Sequence, residues 1–255
     1  MSVSLQLTVI VITLNEEENI ARCLRSVQWA DEIIVVDSGS TDQTKEIAVQ
    51  LSAKVLLHAW EGYGQQKNWA MKQSKNSWIL FLDADEEVSA ELAKEIQDFV
   101  SRADAHRLQG ARLPRKTWYL GRWILYGGWY PNALVRLAKK DSAQWTEPAV
   151  HEELKVSGEV QQLQYDLYHY TFADVGDQVQ TNIRFSRLGA QKARALGEKG
   201  SIFKILVKPI FKFLETYVWK RGFLDGLPGF VISVNASHSI FMKYVELRFG
   251  KDTHC

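Results

Sequence analysis

Residues Ile79 to Glu87 read Ile-Leu-Phe-Leu-Asp-Ala-Asp-Glu-Glu, an apolar run that stops at two carboxylates, Asp83 and Asp85, one residue apart. A short run without polar alternation is the pattern of a strand buried on both faces, as in a parallel sheet covered by helices. The two acids then fall at the strand's carboxyl end, the edge where open α/β sheets place their ligands.

The same pattern recurs upstream. Short Val-, Ile- and Leu-rich runs predict strands at 7–13, 32–37, 54–57 and 78–83, with helical periodicity between them. This is the βαβ rhythm of a mostly parallel sheet flanked by helices, an α/β fold. Asn15, with Glu18 three residues on in the capping-box position, predicts the start of the first helix, which places Ile20, Leu24 and Val27 on one face. A second helix is expected to begin within Ser38-Gly-Ser-Thr-Asp42 and to bury Ile47 and Leu51, and another covers about 89–102. The rhythm then changes: 106–170 holds short alternating stretches broken by Gly121, Gly127, Gly128 and Pro131, which predict mixed or antiparallel strands with long loops. From 174 onward the pattern is helical again.

A chain of 255 residues with 46% hydrophobic content has enough apolar material for one large domain, or one domain with an appendage. Its 31 Lys+Arg against 30 Asp+Glu argue against general nucleic-acid binding. Cys23 and Cys255 are far apart without CxxC spacing, so neither a disulfide framework nor a cysteine zinc site is indicated, and a reducing compartment fits. The apolar run Leu7 to Leu14 lacks a basic flank and a small-residue cleavage site, so it reads as a first strand rather than a signal peptide.

Three loops should converge at the carboxyl edge of a parallel sheet: Thr13-Leu-Asn-Glu16, Asp37-Ser-Gly-Ser-Thr-Asp42 and Asp83-Ala-Asp85. Asp37 could accept hydrogen bonds from a base or ribose, while residues 38–40 are small enough for backbone N–H groups to approach a ligand. The same residues also read as a loop with a helix cap. Asp83 and Asp85 repel one another unless a cation or proton lies between them, and a hard divalent ion such as Mg²⁺ or Mn²⁺ is the usual companion of a diphosphate. Taken alone, the pair also reads as a strand end capping the following helix.

In order and spacing, TLNEE, IIVVDSGSTD, GQQKNWA and ILFLDADEE over roughly residues 5–100 resemble the family 2 glycosyltransferases, whose GT-A fold binds nucleotide-sugars. The resemblance implies that Thr13, Asn15 and Glu16 line the nucleotide site, that Asp37 reads the base, and that Lys67 and Asn68 flank the nucleotide. It also implies that Asp83 and Asp85 bracket ribose, diphosphate and metal. The middle segment, with Pro114-Arg-Lys, Trp118-Tyr-Leu-Gly-Arg-Trp123, Tyr126-Gly-Gly-Trp-Tyr-Pro131 and Arg136-Leu137, looks like the lipopolysaccharide-core glucosyltransferase branch, as does Gly222-Phe-Leu-Asp-Gly226. Aromatic faces stack on sugars and Arg forks suit phosphate or carboxylate groups, so Arg115, Trp129 and Arg136 are expected at the acceptor. The alternative for this stretch is a satellite core under long loops.

An inverting transfer needs a carboxylate to take the acceptor hydroxyl's proton. Val150-His-Glu-Glu153 supplies Glu152 as the favoured base, with His151 orienting it or touching the metal and Glu153 as the alternative. His169 is a further metal-ligand candidate, although a histidine between tyrosines is more often a satisfied core residue.

Residues 201–220 place Lys204, Lys208, Lys212 and Glu215 on one narrow helical stripe beside a wide apolar surface. Spanning a bilayer would cost about 2.5–3.5 kcal/mol per central lysine, and Pro209 interrupts the run, so a helix lying in the membrane interface fits better. A helical pair packed on the domain or on a second subunit is the alternative.

The expected division is 1–198 as the GT-A domain, with a nucleotide-sugar half (1–103) and an acceptor half (104–198), then a helical, membrane-associating segment at 199–255. The activity this implies is a metal-dependent, inverting transfer of a hexose, with UDP-glucose favoured as donor. The acceptor would be a lipid-linked glycan such as the lipopolysaccharide inner core, reached at the cytoplasmic face of the inner membrane. Two other transfer-related readings stay open, a polyprenyl-phosphate glycosyltransferase and a catalytically silent, membrane-associated sugar-binding protein. Leu-Asp-Ala-Asp is also similar to phosphohydrolases with an aspartyl nucleophile, although those carry the acids on an early strand.

Overall fold

A computed structural model of the chain describes residues 5–103, 107–147 and 152–250. The four strands predicted in the first hundred residues form as β1 (Leu7–Thr13), β2 (Glu32–Asp37), β3 (Lys54–Leu57) and β4 (Trp78–Asp83). All seven residues of β1 are buried. Successive side chains point to opposite faces, so its apolar residues feed two cores. Val9 and Val11 pack with Ile20 and Leu24 of α1 (Ile20–Arg25) and Leu92, Ile96 and Phe99 of α4 (Ala90–Ala103). Ile10 and Ile12 pack on the other side with Phe81, Trp145 and Ala70 and Met71 of α3 (Tyr63–Lys72).

The main sheet has seven strands in the order β12-β6-β9-β4-β1-β2-β3, where β6 is Leu108–Leu113, β9 Leu134–Lys139 and β12 Glu159–Gln162. Strands β1 to β4 pair in parallel, and β9 runs antiparallel to both β4 and β6. The chain leaves β1 toward β2 and β3 and returns to place β4 on β1's other side, so the topological switch point lies between β1 and β4. Register puts Thr13 beside Asp37 and Ile12 beside Asp83, which brings the three expected loops to one level of one edge.

The first helix differs from expectation. It begins at Ile20 rather than after Asn15, and no side chain caps it. Asn15 adopts a left-handed backbone (φ 56°), and its amide oxygen accepts from the Thr41 N–H at 2.9 Å. The bond that a capping box would have used goes to the neighbouring loop. Helix α2 (Thr44–Gln50) follows Asp42, whose carboxylate accepts from the Thr44 N–H and hydroxyl.

Packing divides the chain into two bodies, 1–115 with 132–169, and 116–131 with 170–255. The expected boundary at 198/199 followed sequence character, and the packing boundary instead joins the Trp- and Gly-rich middle to the carboxyl-terminal helices. In the first body β5 (Glu86–Val88) pairs antiparallel with β13 (Leu167–His169), and β10 (Ala143–Trp145) with β11 (Leu154–Val156). In the second body β7 (Arg115–Tyr119, whose first residue belongs to the first body) pairs with β8 (Arg122–Ile124). Helices α5 (Val175–Ala195) and α6 (Ile202–Leu214) both pack on α7 (Gly226–Phe249). The Gly222-Phe-Leu-Asp-Gly226 motif has a structural role here. Asp225 is fully buried and accepts from the Tyr126 N–H at 2.8 Å and the Leu125 N–H at 3.2 Å, tying the glycine-rich loop to α7. Among the described residues no helix is long and apolar enough to cross a membrane.

Candidate active site

The first two edge loops are stitched together. The Asn15 N–H donates to the Ser40 hydroxyl at 2.8 Å, the Glu16 N–H to the Thr44 hydroxyl at 2.8 Å, and the Glu17 N–H to Asp42 at 3.1 Å. Asp37, expected to read a base, is fully buried. One of its oxygens accepts from the Gly39 and Ser40 N–H groups at 2.9 Å and the other from the Ser40 hydroxyl. Its carboxylate therefore builds the loop, helped by Gly39, whose φ of 104° disfavours a side chain. Gln66 adds a tie absent from the expectations: it is fully buried and donates to the Ser38 hydroxyl at 3.0 Å. Thr13 lies at the same edge, buried, with no hydrogen-bond partner for its hydroxyl among the described residues.

Asp83 is gripped by cations. Arg136, 3% exposed on β9, donates to it at 2.5 Å, and the Lys67 ammonium lies 3.4 Å from its other oxygen. Burial alone would raise the Asp83 carboxyl, but the charges of Arg136 and Lys67 outweigh it and hold the group far below the usual carboxylate range. Arg136 also donates to Glu86 at 2.8 Å, and Arg115 reaches the same Glu86 oxygen at 3.2 Å. Burial disfavours the Arg136 charge, yet Asp83 and Glu86 hold its proton well above the ordinary guanidinium value. Glu86, fully buried at the start of β5, is thus the anion that allows two arginines beneath the site. This corrects two expectations. Arg136 and, in part, Arg115 are committed to internal ion pairs rather than free for an acceptor.

Both oxygens of Asp83 are engaged, so the metal question turns on Asp85. Its carboxylate lies 3.2 Å from Nε2 of His169, which the antiparallel pairing of β13 with β5 delivers. Among the described residues no three His, Cys, Asp or Glu side chains gather around a common cation position. Two protein ligands still fit a hard divalent ion that takes its remaining ligands from phosphate oxygens and water. The acidic crowding fits as well. Burial raises the Glu16 carboxyl, an Asn19 hydrogen bond opposes this, and the charges of Asp85, Asp42 and Asp83 push it further up.

Glu152 faces the cluster and Glu153 does not. Glu152 is 20% exposed, with one oxygen 3.3 Å from the Lys67 ammonium. Glu153 is 64% exposed and pairs outward with Lys155 at 2.5 Å. Lys67, on α3 and only 3% exposed, therefore bridges Asp83 and Glu152, and its ammonium sits 4.3 Å from the Trp145 ring centroid. His151 lies outside the described residues.

Asn68 points elsewhere. Its amide oxygen accepts from the Trp145 N–H at 2.9 Å and its NH₂ donates to the Trp145 carbonyl at 3.0 Å, so it fastens α3 to β10 rather than flanking a ligand. Trp129 belongs to the second body, where its ring packs 5.8 Å from Tyr119 and 6.3 Å from Phe172 in a small aromatic core. The satellite-core alternative accounts for it.

The parallel sheet with its switch point and acid-rich edge defines a GT-A fold. A mannosyltransferase from Pyrobaculum calidifontis, solved with GDP-mannose and Mn²⁺, shares it, with a TM-score of 0.57 over 97% of this chain and 88% of that one at 14% identity. The family model for glycosyl transferase family 2 matches residues 8–136, and the chain belongs to that family. An uncharacterised glycosyltransferase of Rickettsia typhi is 32% identical over 95% of this chain and 87% of its own length. A lipopolysaccharide core biosynthesis glycosyltransferase of Rhizobium meliloti, LpsC, is 24% identical over 94% and 93%.

Proposed function

We propose that the chain is an inverting, metal-dependent hexosyltransferase that uses UDP-glucose and acts on a lipid-linked glycan, the lipopolysaccharide inner core, at the cytoplasmic face of the inner membrane. The observation that carries this reading is the Lys67 bridge, which puts the candidate base Glu152 and the strand-end acid Asp83 on one ammonium, next to the Asp85–His169 pair. The similarity to LpsC supports the choice of acceptor.

In this reading the loops 13–16 and 37–42 hold the nucleotide, with the Thr13 hydroxyl as an open donor, and Asp83 receives the ribose side. Asp85 and His169 would hold a divalent cation, whose charge neutralises the departing diphosphate. Glu152 accepts the acceptor's hydroxyl proton as that oxygen bonds to the anomeric carbon. The bond from this carbon to the diphosphate oxygen breaks on the opposite face, and its electron pair leaves with UDP. Lys67 orients the Glu152 carboxylate and lies beside the charge that develops.

The direct test incubates the protein with UDP-[¹⁴C]glucose, Mn²⁺ or Mg²⁺, and either inner-core lipopolysaccharide or a polyprenyl phosphate. Label in the first acceptor, lost in Asp85→Ala, is expected. Label only in the polyprenyl product would move the acceptor, and undiminished transfer by Asp85→Ala would remove the metal assignment.

A further inference from the structure

The second body carries a surface that the sugar site does not use. On α6, Ile205 and Pro209 face inward, whereas Ile202, Phe203, Leu206, Ile210 and Leu214 are between 38% and 69% exposed. At about 100° per residue these five cover roughly a third of the helix circumference along a length of ~20 Å. Beyond the end of α6, Trp219 is also 66% exposed. An apolar strip this continuous is unusual on a soluble surface and marks an interaction site.

Charge says what covers it. Residues 190–250 hold ten Lys and Arg against four Asp and Glu, a net +6 in a chain whose total is +1. Lys199 stands exposed three residues before the strip begins. Next to the start of α6 a cavity of about 430 Å³ is lined by Arg194, Lys199 and Arg248, with Phe249 at its side. Glu198, also at this cavity, is paired with Lys204 at 2.7 Å. An apolar strip flanked by excess positive charge matches a bilayer surface, with acyl chains under the strip and anionic phosphates at Lys199 and Arg248. Two copies of the same strip meeting face to face would bring +6 against +6, which disfavours a second copy as occupant.

We infer that α6 docks in the plane of an anionic lipid bilayer, with Phe203, Leu206 and Ile210 entering the acyl boundary and Lys199 and Arg248 holding lipid phosphates. This inference rests on the helical body alone and stands whether or not the sugar transfer is as proposed.

The test is flotation of the full chain with phosphatidylcholine vesicles and with vesicles containing 30% phosphatidylglycerol. Binding at least about tenfold stronger to the anionic vesicles is expected, with a part that survives 0.5 M NaCl. The triple variant Phe203→Ser, Leu206→Ser, Ile210→Ser should lose at least about tenfold of that binding while its circular-dichroism melt stays unchanged, since all three side chains are exposed. Lys199→Glu with Arg248→Glu should abolish the preference for anionic lipid. Complete release by salt would overturn the proposal, as would equal binding by the triple variant. Sedimentation showing a dimer that the triple variant dissolves, without vesicle binding by the parent, would assign the strip to a second copy and overturn it as well.

Discussion

Lys67 occupies a position that packing alone does not explain: a nearly buried ammonium between two carboxylates and over an indole ring. Its partners divide the labour. Glu152→Gln keeps the shape and the Lys67 contact but cannot take a proton, so kcat should fall by about 10²–10⁴ with donor binding retained, measured by initial rates and by calorimetry with UDP. Glu153→Gln, on the outward side, should change kcat by less than about twofold. Asp83 makes a second prediction. Its folded-state value lies below the ordinary one near ~3.9, so its contribution to stability is complete above that pH and is lost as pH falls through the folded value. Urea melts of the parent and Asp83→Asn should therefore differ more at pH 7 than at pH 3, and an equal gap at both would refute this. Asp83 and Asp85 could be picked out from the strand-end pattern, and Lys67 only through the family resemblance. His169 was legible only as a metal-ligand candidate without a partner, and Glu86 not at all, because strand pairing alone brings His169 on β13 to Asp85 and Arg136 on β9 to Glu86.

Helix α3 shows how a whole element is set in place by small contacts. Gly64 lies so close to β10 that an added Cβ would sit 2.1 Å from the Thr146 carbonyl oxygen, and Asn68 hydrogen-bonds both backbone groups of Trp145. Asn68→Ala leaves those groups unpaired and should cost about 1–3 kcal/mol in chemical denaturation. Gly64→Ala should push α3 from β10 and carry Lys67 away from Glu152, lowering kcat more than it lowers the melting temperature. Strands β1, β2 and β4 were legible because apolar runs buried on both faces look alike wherever they occur, and the half-buried edge strand β3 because it is Val- and Leu-rich. The start of α1 was misread because Asn15 and Glu18 fit a local capping pattern, while a bond to Thr41 across the loops won instead.

At the scale of the whole molecule, chelation with EDTA should stop transfer and Mn²⁺ or Mg²⁺ should restore it. UDP with the cation at about 100 times its Kd should raise unfolding stability by ~2.7 kcal/mol, read by thermal melts. Neither effect is expected from Asp85→Ala. The sequence by itself determined the α/β class, the positions of the first four strands and the acid-rich edge, which follow from local apolar periodicity, and pointed to the family through the resemblance its motifs carry. Only the tertiary structure decided that Glu152 rather than Glu153 faces Lys67, since adjacent residues of an extended chain point to opposite sides and nothing local says which side is inward. It also decided that Arg136 is an internal counterion, that Trp129 belongs to a separate aromatic core, and that the apolar strip of α6 stays exposed. Those outcomes depend on residues distant in the chain, and pairing over such separations leaves no periodic trace in the sequence.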